Sequence, residues 1–193
     1  EKYSVPFLEV LESIREETNT DDIKTFIECG SGDTGYNAIQ FSNFFNVISI
    51  ENNPDLHNQY KNKKGTNHEI KWILGDGREN LKSTLLENPD ERFLILLDDH
   101  NGYQSFIKEE MEIINSCSNR NDHIIIIDDM DEAGKGSYPT IKDLNTMTLD
   151  INKEYIIKRV GNVEITLDPT KNKATIEDQD FKDRESRIGK SID

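Results

Sequence analysis

Nowhere along the 193 residues does an apolar stretch approach the roughly 20 residues that a membrane-crossing helix requires, so no membrane partner is expected. Basic residues are scarce as well. Against 38 aspartates and glutamates stand 23 lysines and arginines, a formal net charge of −15. That is the wrong sign for gripping a phosphate backbone, and nucleic acid is not an expected partner either. The two cysteines, Cys29 and Cys117, form neither a metal-ligand spacing nor a disulfide framework, which points to a reducing, cytoplasmic setting. Hydrophobic residues supply only 34% of the chain, so the core must come from a few concentrated runs.

Those runs are present. Phe93-Leu94-Ile95-Leu96-Leu97 and Ile124-Ile125-Ile126-Ile127 are apolar without alternation, as in strands buried on both faces of a parallel sheet. Around them strand-like and helix-like patterns alternate. Phe7, Leu8, Leu11 and Ile14 recur at helical spacing in an opening helix that ends near Thr18–Thr20. Strands are expected over 25–29, 46–50, 69–74, 92–97 and 123–127. Helices are expected around 36–42, after Pro54, around Leu81 and Leu85, through Phe106–Ile114, and near 141–149. Two β-rich runs, 154–160 and 162–167, close the pattern through Gly161. The order predicts a doubly wound α/β fold: a mostly parallel, seven-stranded, Rossmann-like sheet with an antiparallel C-terminal strand pair. One domain over 1–170 is expected, residues 1–20 being its N-terminal helix, and the polar stretch 171–193 is read as a mobile tail.

The most informative stretch is Glu28-Cys29-Gly30-Ser31-Gly32-Asp33-Thr34-Gly35, directly after the apolar start of the first strand. Glycines at such spacing let backbone approach a ligand closely and open a helix toward it. An acid two residues before the first glycine would repel a pyrophosphate but suits a ligand with a cationic amino acid end. The pattern E-x-G-x-G-x-x-G resembles motif I of the class I S-adenosylmethionine (SAM)-dependent methyltransferases, and the resemblance extends over roughly residues 20–168. It implies SAM as cofactor. Glu28, Cys29, Gly30, Ser31, Gly32 and Gly35 would bound its methionine end. Glu51, with Asn52 beside it, would take the ribose hydroxyls, a role that an acid at this distance also has in NAD folds. Asp76 and Gly77 would meet the adenine, and Asp98 would complete the cofactor set.

Ligands of open α/β sheets bind outside the carboxyl ends of the strands. Here five successive ends carry acid: Glu28, Glu51, Asp76, Asp98-Asp99 and Asp128-Asp129. Each alone reads equally as a helix cap or loop carboxylate; the set is harder to explain that way. Carboxylates facing one another at two adjacent strand ends call for protonation, a basic partner or a divalent cation, and oxygen ligands suit Mg²⁺. The arrangement is similar to the catechol-type and macrolide-sugar-type O-methyltransferases. On that comparison Asp98, Asp128 and Asp129 would hold Mg²⁺, Asp99 being the alternative to Asp98, and His100 would act as general base, with Asp99 also placed in the catalytic set. Departures are visible: Asn101-Gly102-Tyr103 stands where the catechol-type enzymes have a lysine. The loop Gly134-Lys135-Gly136-Ser137-Tyr138-Pro139 is expected to border an acceptor pocket, with Tyr103 and Tyr138 available to stack on a ring.

The reading is a SAM-dependent O-methyltransferase of a small hydroxylated molecule, a sugar or natural-product intermediate, assisted by a divalent metal and closing its site by homodimerising. The alternatives are a metal-independent N- or O-methyltransferase and a non-catalytic SAM-binding protein of regulatory or assembly function.

Overall fold

The computed structural model describes residues 7–32, 34–101 and 104–170. The segment expected to form a tail lies outside them, as do Asp33, Gly102 and Tyr103. Helix α1 (Phe7–Glu17) is followed by β1 (Thr25–Cys29), α2 (Tyr36–Phe41), β2 (Asn46–Glu51), α3 (Pro54–Tyr60), β3 (Ile70–Leu74), α4 (Gly77–Glu87) and β4 (Phe93–Leu97). A two-residue hairpin, β5 (His100–Asn101) and β6 (Gln104–Ser105), leads into α5 (Ile107–Ser116) and β7 (Ile124–Ile127). A 3₁₀ turn (Met130–Glu132), α6 (Ile141–Ile151), β8 (Ile156–Val160) and β9 (Val163–Leu167) complete the chain.

Seven strands form one sheet in the order β3-β2-β1-β4-β7-β9-β8. The first five run parallel. β9 is inserted antiparallel between β7 and β8, so it alone runs against the rest. The chain moves outward from β1 through β2 to β3, then returns to the other side of β1 to form β4. The sheet therefore reverses direction between β1 and β4, and this divergence opens a crevice at their carboxyl ends.

Side-chain alternation along the buried strands divides the core into two layers. Phe26, Leu94, Leu96, Ile124 and Ile126 face α1 and α2, whereas Ile27, Ile95, Leu97, Ile125 and Ile127 face α4, α5 and α6. Every residue of β4 and β7 is buried, which is why neither strand shows a polar face in sequence. In α1 the inward stripe is Val10, Leu11 and Ile14. Leu8, expected inside, is 56% exposed, because the stripe is rotated so that Val10 faces the sheet instead.

At the amino ends of the strands a buried arginine draws three segments together. The Arg92 guanidinium donates to the Asp122 carbonyl (2.9 Å), the Asn19 carbonyl (3.0 Å), the Asp22 carboxylate (2.8 Å) and the Thr18 hydroxyl (3.3 Å). It thus ties the α1–β1 connection to β4 and to the entry of β7. Replacing it with an apolar isostere removes a donor from the buried Asp122 carbonyl and the buried Thr18 hydroxyl and the charged partner of Asp22. Arg92→Met is expected to lower stability by about 3 kcal/mol in urea unfolding, in the range for breaking a buried charged contact.

Candidate functional site

β1 ends at Cys29 and the chain turns at Gly30, whose φ of +89° lies in the left-handed region. A Cβ placed there would sit 2.3 Å from the Asp98 carbonyl oxygen, so only glycine lets the loop lie against the end of β4. Two hydrogen bonds fix this contact from the neighbouring strands: Gly30 N–H donates to the Ile50 carbonyl (3.0 Å) and Asp98 N–H to the Cys29 carbonyl (2.9 Å). Gly32, also at positive φ, has open space where a side chain would be. The result is a cleft of ≈390 Å³ at the sheet reversal, with Gly30, Gly32, Glu51, Asn52, Asp98 and His100 in its lining. Its size is that of a small-molecule site.

Glu51 presents its carboxylate to this cleft from the end of β2 and is held from behind. Oε1 accepts from Asn53 N–H (2.8 Å), and Oε2 from Ser31 N–H (3.2 Å) and the Tyr60 hydroxyl (3.3 Å). Those bonds fix the carboxylate plane and use both lone pairs of Oε2, leaving one acceptor position on Oε1. Neither Tyr60 nor Ser49 is foreseeable as a site residue from the motif, although a serine inside Val47-Ile48-Ser49-Ile50 is itself a signal. The Ser49 hydroxyl donates to Glu28 Oε2 (2.6 Å) and shares a 2.6 Å hydrogen bond with the Ser31 hydroxyl.

Glu28 itself does not line the cleft. It is fully buried behind the glycine loop, and among the described residues its Oε1 lies outside hydrogen-bond reach of any donor. Burial above all raises its pKa to about 8, the Ser49 bond offsetting this only in part and Asp98 adding to it. Cys29 is also turned away, into the core beneath α4 and α5. It contributes its backbone carbonyl to the site, and burial holds its thiol well above the usual range.

Asp76 caps α4, accepting from the amides of Arg78 and Glu79, and forms a two-pronged pair with the Arg78 guanidinium (2.7 and 3.1 Å). That hydrogen bonding lowers its pKa, and the carboxylate is committed to helix and arginine rather than facing the cleft. Gly77 lies beneath Asp99: a Cβ there would come within 2.5 Å of Asp99 Oδ2 and 3.3 Å of Glu110 Oε1. Asp99, in the cleft wall, is raised to about 6 by burial first and by Asp76 and Glu51 next, and it receives a long contact from the Asn52 amide (3.5 Å). Glu110 was not anticipated. It is an acid on the apolar stripe Ile107–Met111–Ile114, fully buried, and burial holds its carboxyl well above the ordinary range.

At the far end of the cleft β4, the β5 hairpin and the end of β7 converge. His100 Nε2 lies 3.1 Å from Asp129 Oδ2 and 3.5 Å from Asp98 Oδ1. Among the described residues these three side chains come together as one cluster; Asp128 is not part of it, and its Oδ1 accepts from the Asp129 amide at 2.7 Å. Asp129 occupies the left-handed region with φ +53°, and this turn aims its carboxylate back toward His100. Tyr138 is buried with its ring edge-on to His100 at 6.0 Å between centroids, packing against the imidazole rather than presenting a stacking face. The Gly134–Pro139 loop is moored to β6, where Ser137 Oγ accepts from Ser105 N–H (2.8 Å). Tyr103, the other aromatic expected at the acceptor side, lies outside the described residues.

No protein-family model and no curated protein matches the chain. Solved structures do. An rRNA methylase from Streptococcus thermophilus matches with a TM-score of 0.54 at 11% identity, covering 87% of this chain and 99% of that one. Magnesium protoporphyrin IX methyltransferase from Synechocystis PCC 6803, solved with bound SAM, matches at 0.53 and 13%, covering 83% and 77%. A protein assigned as a caffeoyl-CoA O-methyltransferase in Staphylococcus aureus matches at 0.52 and 16%, covering 86% and 93%. The architecture is therefore the Rossmann-like fold of class I SAM-dependent methyltransferases. At these identities the likeness is one of fold.

Two outcomes follow from this geometry. Gly30→Ala adds a Cβ against the Asp98 carbonyl on a strained backbone, and is expected to cost several kcal/mol in denaturant unfolding, on the order of 3. Glu28 keeps its proton in the folded chain to about pH 8, but only to its ordinary value of 4.5 when unfolded. Between those values the folded state binds more protons, so its stability falls as pH rises; below them the effect vanishes. Glu28→Gln is expected to gain on the parent steadily from pH 5 to 8 in urea titrations, and a pH-independent difference would refute the assignment.

Proposed function

We propose that this chain is a SAM-dependent methyltransferase that methylates oxygen on a small hydroxylated molecule, a sugar or natural-product intermediate. One observation carries the reading: the cleft at the sheet reversal joins a glycine turn pressed against β4 to a braced carboxylate on β2. Glu51 binds the ribose diol of the cofactor. The exposed edge of the loop at Gly32 receives the methionine end, while the Glu51 and Asp98 carboxylates that line the cleft favour a cationic ligand over an anionic one. The fold also occurs in proteins named for rRNA, a porphyrin and a caffeoyl thioester, so it does not choose the acceptor. The formal charge of −15 argues against RNA here.

The chemistry is an in-line displacement. The methyl carbon leaves the sulfonium sulfur as it bonds to the acceptor oxygen, giving neutral S-adenosylhomocysteine, and the hydroxyl proton must be removed. The Asp98–His100–Asp129 cluster, at the end of the cleft beyond the cofactor's place, is assigned to activating that hydroxyl. Asp99 sits on the cofactor side, against Asn52 and above Gly77, and serves binding rather than proton transfer. Most of the rate gain comes from orientation, because a sulfonium is already an activated methyl donor.

Calorimetry with SAM, S-adenosylhomocysteine and NAD tests the reading. SAM and S-adenosylhomocysteine are expected to bind one per chain and NAD not to bind. Glu51→Gln should weaken SAM at least about tenfold, the worth of one charge-assisted hydrogen bond. Absence of SAM binding in the parent chain would sink the proposal, and binding without methyl transfer to any hydroxylated acceptor would favour a regulatory SAM-binding role.

A further inference from the structure

The Mg²⁺ that the O-methyltransferase resemblance implies calls for an all-oxygen donor set at Asp98, Asp128 and Asp129, and the residues as folded do not supply it. Asp128 turns its Oδ1 onto the next amide at 2.7 Å. In its place the β5 hairpin brings the imidazole of His100 between the other two carboxylates. The ligand atoms of Asp98, His100 and Asp129 all lie within 4.8 Å of one another.

The spacing of these atoms is informative. Two donors each about 2.1 Å from a shared cation stand about 3.0 Å apart at a right angle and about 3.4 Å apart at the tetrahedral angle. His100 Nε2 is 3.1 Å from Asp129 Oδ2, a hydrogen-bonded contact, and 3.5 Å from Asp98 Oδ1, so the imidazole stands at the spacing of a shared cation from each carboxylate. The donors come from three separate elements, each fixed on its own. Asp98 is set by the ladder bond of its amide to Cys29, Asp129 by its left-handed backbone and the Asp128 bond, and His100 by the hairpin and Tyr138. Asp98 and His100 also line the cleft, so a cation held there would stand at its wall. Two carboxylates and one imidazole leave the set negative whichever form the imidazole takes. The same field is felt by Tyr138, whose phenol is pushed up by burial first and then by Asp98 and Asp129.

The geometry points to a divalent first-row transition cation, of the Mn²⁺ to Zn²⁺ series, held by Asp98, His100 and Asp129 in preference to Mg²⁺. A nitrogen donor in a three-ligand face with open positions suits the borderline cations. Mg²⁺ keeps its waters and favours oxygen alone. This inference stands on the donor set and goes beyond the cofactor assignment, which it does not need.

The test uses the whole chain, stripped of metal and titrated with Co²⁺ while visible absorption and heat are recorded. One equivalent is expected to bind with the ligand-field bands of a nitrogen-containing site, to be displaced by Zn²⁺, and to be unaffected by a thousandfold excess of Mg²⁺. His100→Ala should weaken Co²⁺ by more than about tenfold, the lower figure for losing a supporting partner of a metal site. His100→Asp should restore an all-oxygen face at which Mg²⁺ now competes. Asp128→Asn keeps the oxygen that accepts from Asp129 and should leave Co²⁺ affinity unchanged. Circular dichroism of each variant establishes that it is folded, and SAM calorimetry on the same samples reports the cofactor assignment separately. Lack of Co²⁺ binding in the parent chain would overturn the inference. So would Mg²⁺ competition at equal concentration, or retention of Co²⁺ by a folded His100→Ala.

Discussion

The close approach of Gly30 to the Asp98 carbonyl is the constraint on which the rest of the site depends. β1 and β4 are hydrogen-bonded neighbours, yet the chain must leave β1 toward α2 while β4 continues to the acidic loop. The exit can lie flush against β4 only if residue 30 has no side chain and adopts positive φ. Once it does, the amides of Gly30 and Asp98 extend the two ladders by one bond each, and the glycine loop, Glu51 and Asp98 are fixed around one cleft. The cleft is thus a consequence of sheet topology and one missing Cβ.

Gathering so many carboxyl groups at one sheet edge carries an electrostatic cost, and each is met differently. Glu28 and Glu110 are taken out of water and favour the neutral form. Asp76 is neutralised by Arg78 and two helix amides. Glu51 remains at the cleft because two backbone amides and a phenol satisfy it. Asp98 and Asp129 share His100. The acids left facing the cleft are the ones held by hydrogen bonds that leave lone pairs toward its interior, and this separates binding groups from supporting ones more sharply than their positions at strand ends do.

The site also has two ends of different character. Gly30, Gly32, Glu51 and Asn52 make one, built of backbone and a braced carboxylate that suit a polar, cationic nucleoside. Asp98, His100 and Asp129 make the other, a compact donor face against the buried Tyr138. The proposed methyl transfer calls for such a division, with a cofactor held rigidly and an acceptor activated beside it. The mooring of the 134–139 loop to β6 through Ser137 keeps the second end attached to the hairpin that carries His100.

The strand and helix order was legible in the sequence because the determinants are local. Unbroken apolar runs marked β4 and β7 as central, and the glycine spacing after Thr25–Cys29 marked the ligand turn. The acids at five strand ends were correctly placed at one edge, since parallel strands all end on the same side. What each acid does was not legible, because direction and partners are set by residues distant in the chain. Glu28 and Cys29 are turned to opposite, equally covered faces of β1, Asp76 is claimed by a neighbouring arginine, and Tyr60 and Ser49 brace groups 9 and 21 residues away. The meeting of His100 with Asp98 and Asp129, where the sequence suggested Asp128, depends on a left-handed turn at Asp129 and a short hairpin, neither of which has a periodic signature. The sequence by itself determined which elements form and that acid collects at their ends, through short-range hydrophobic pattern. Tertiary structure alone decided which carboxylates face the cleft, because that choice rests on long-range hydrogen bonds and on the space left by one glycine.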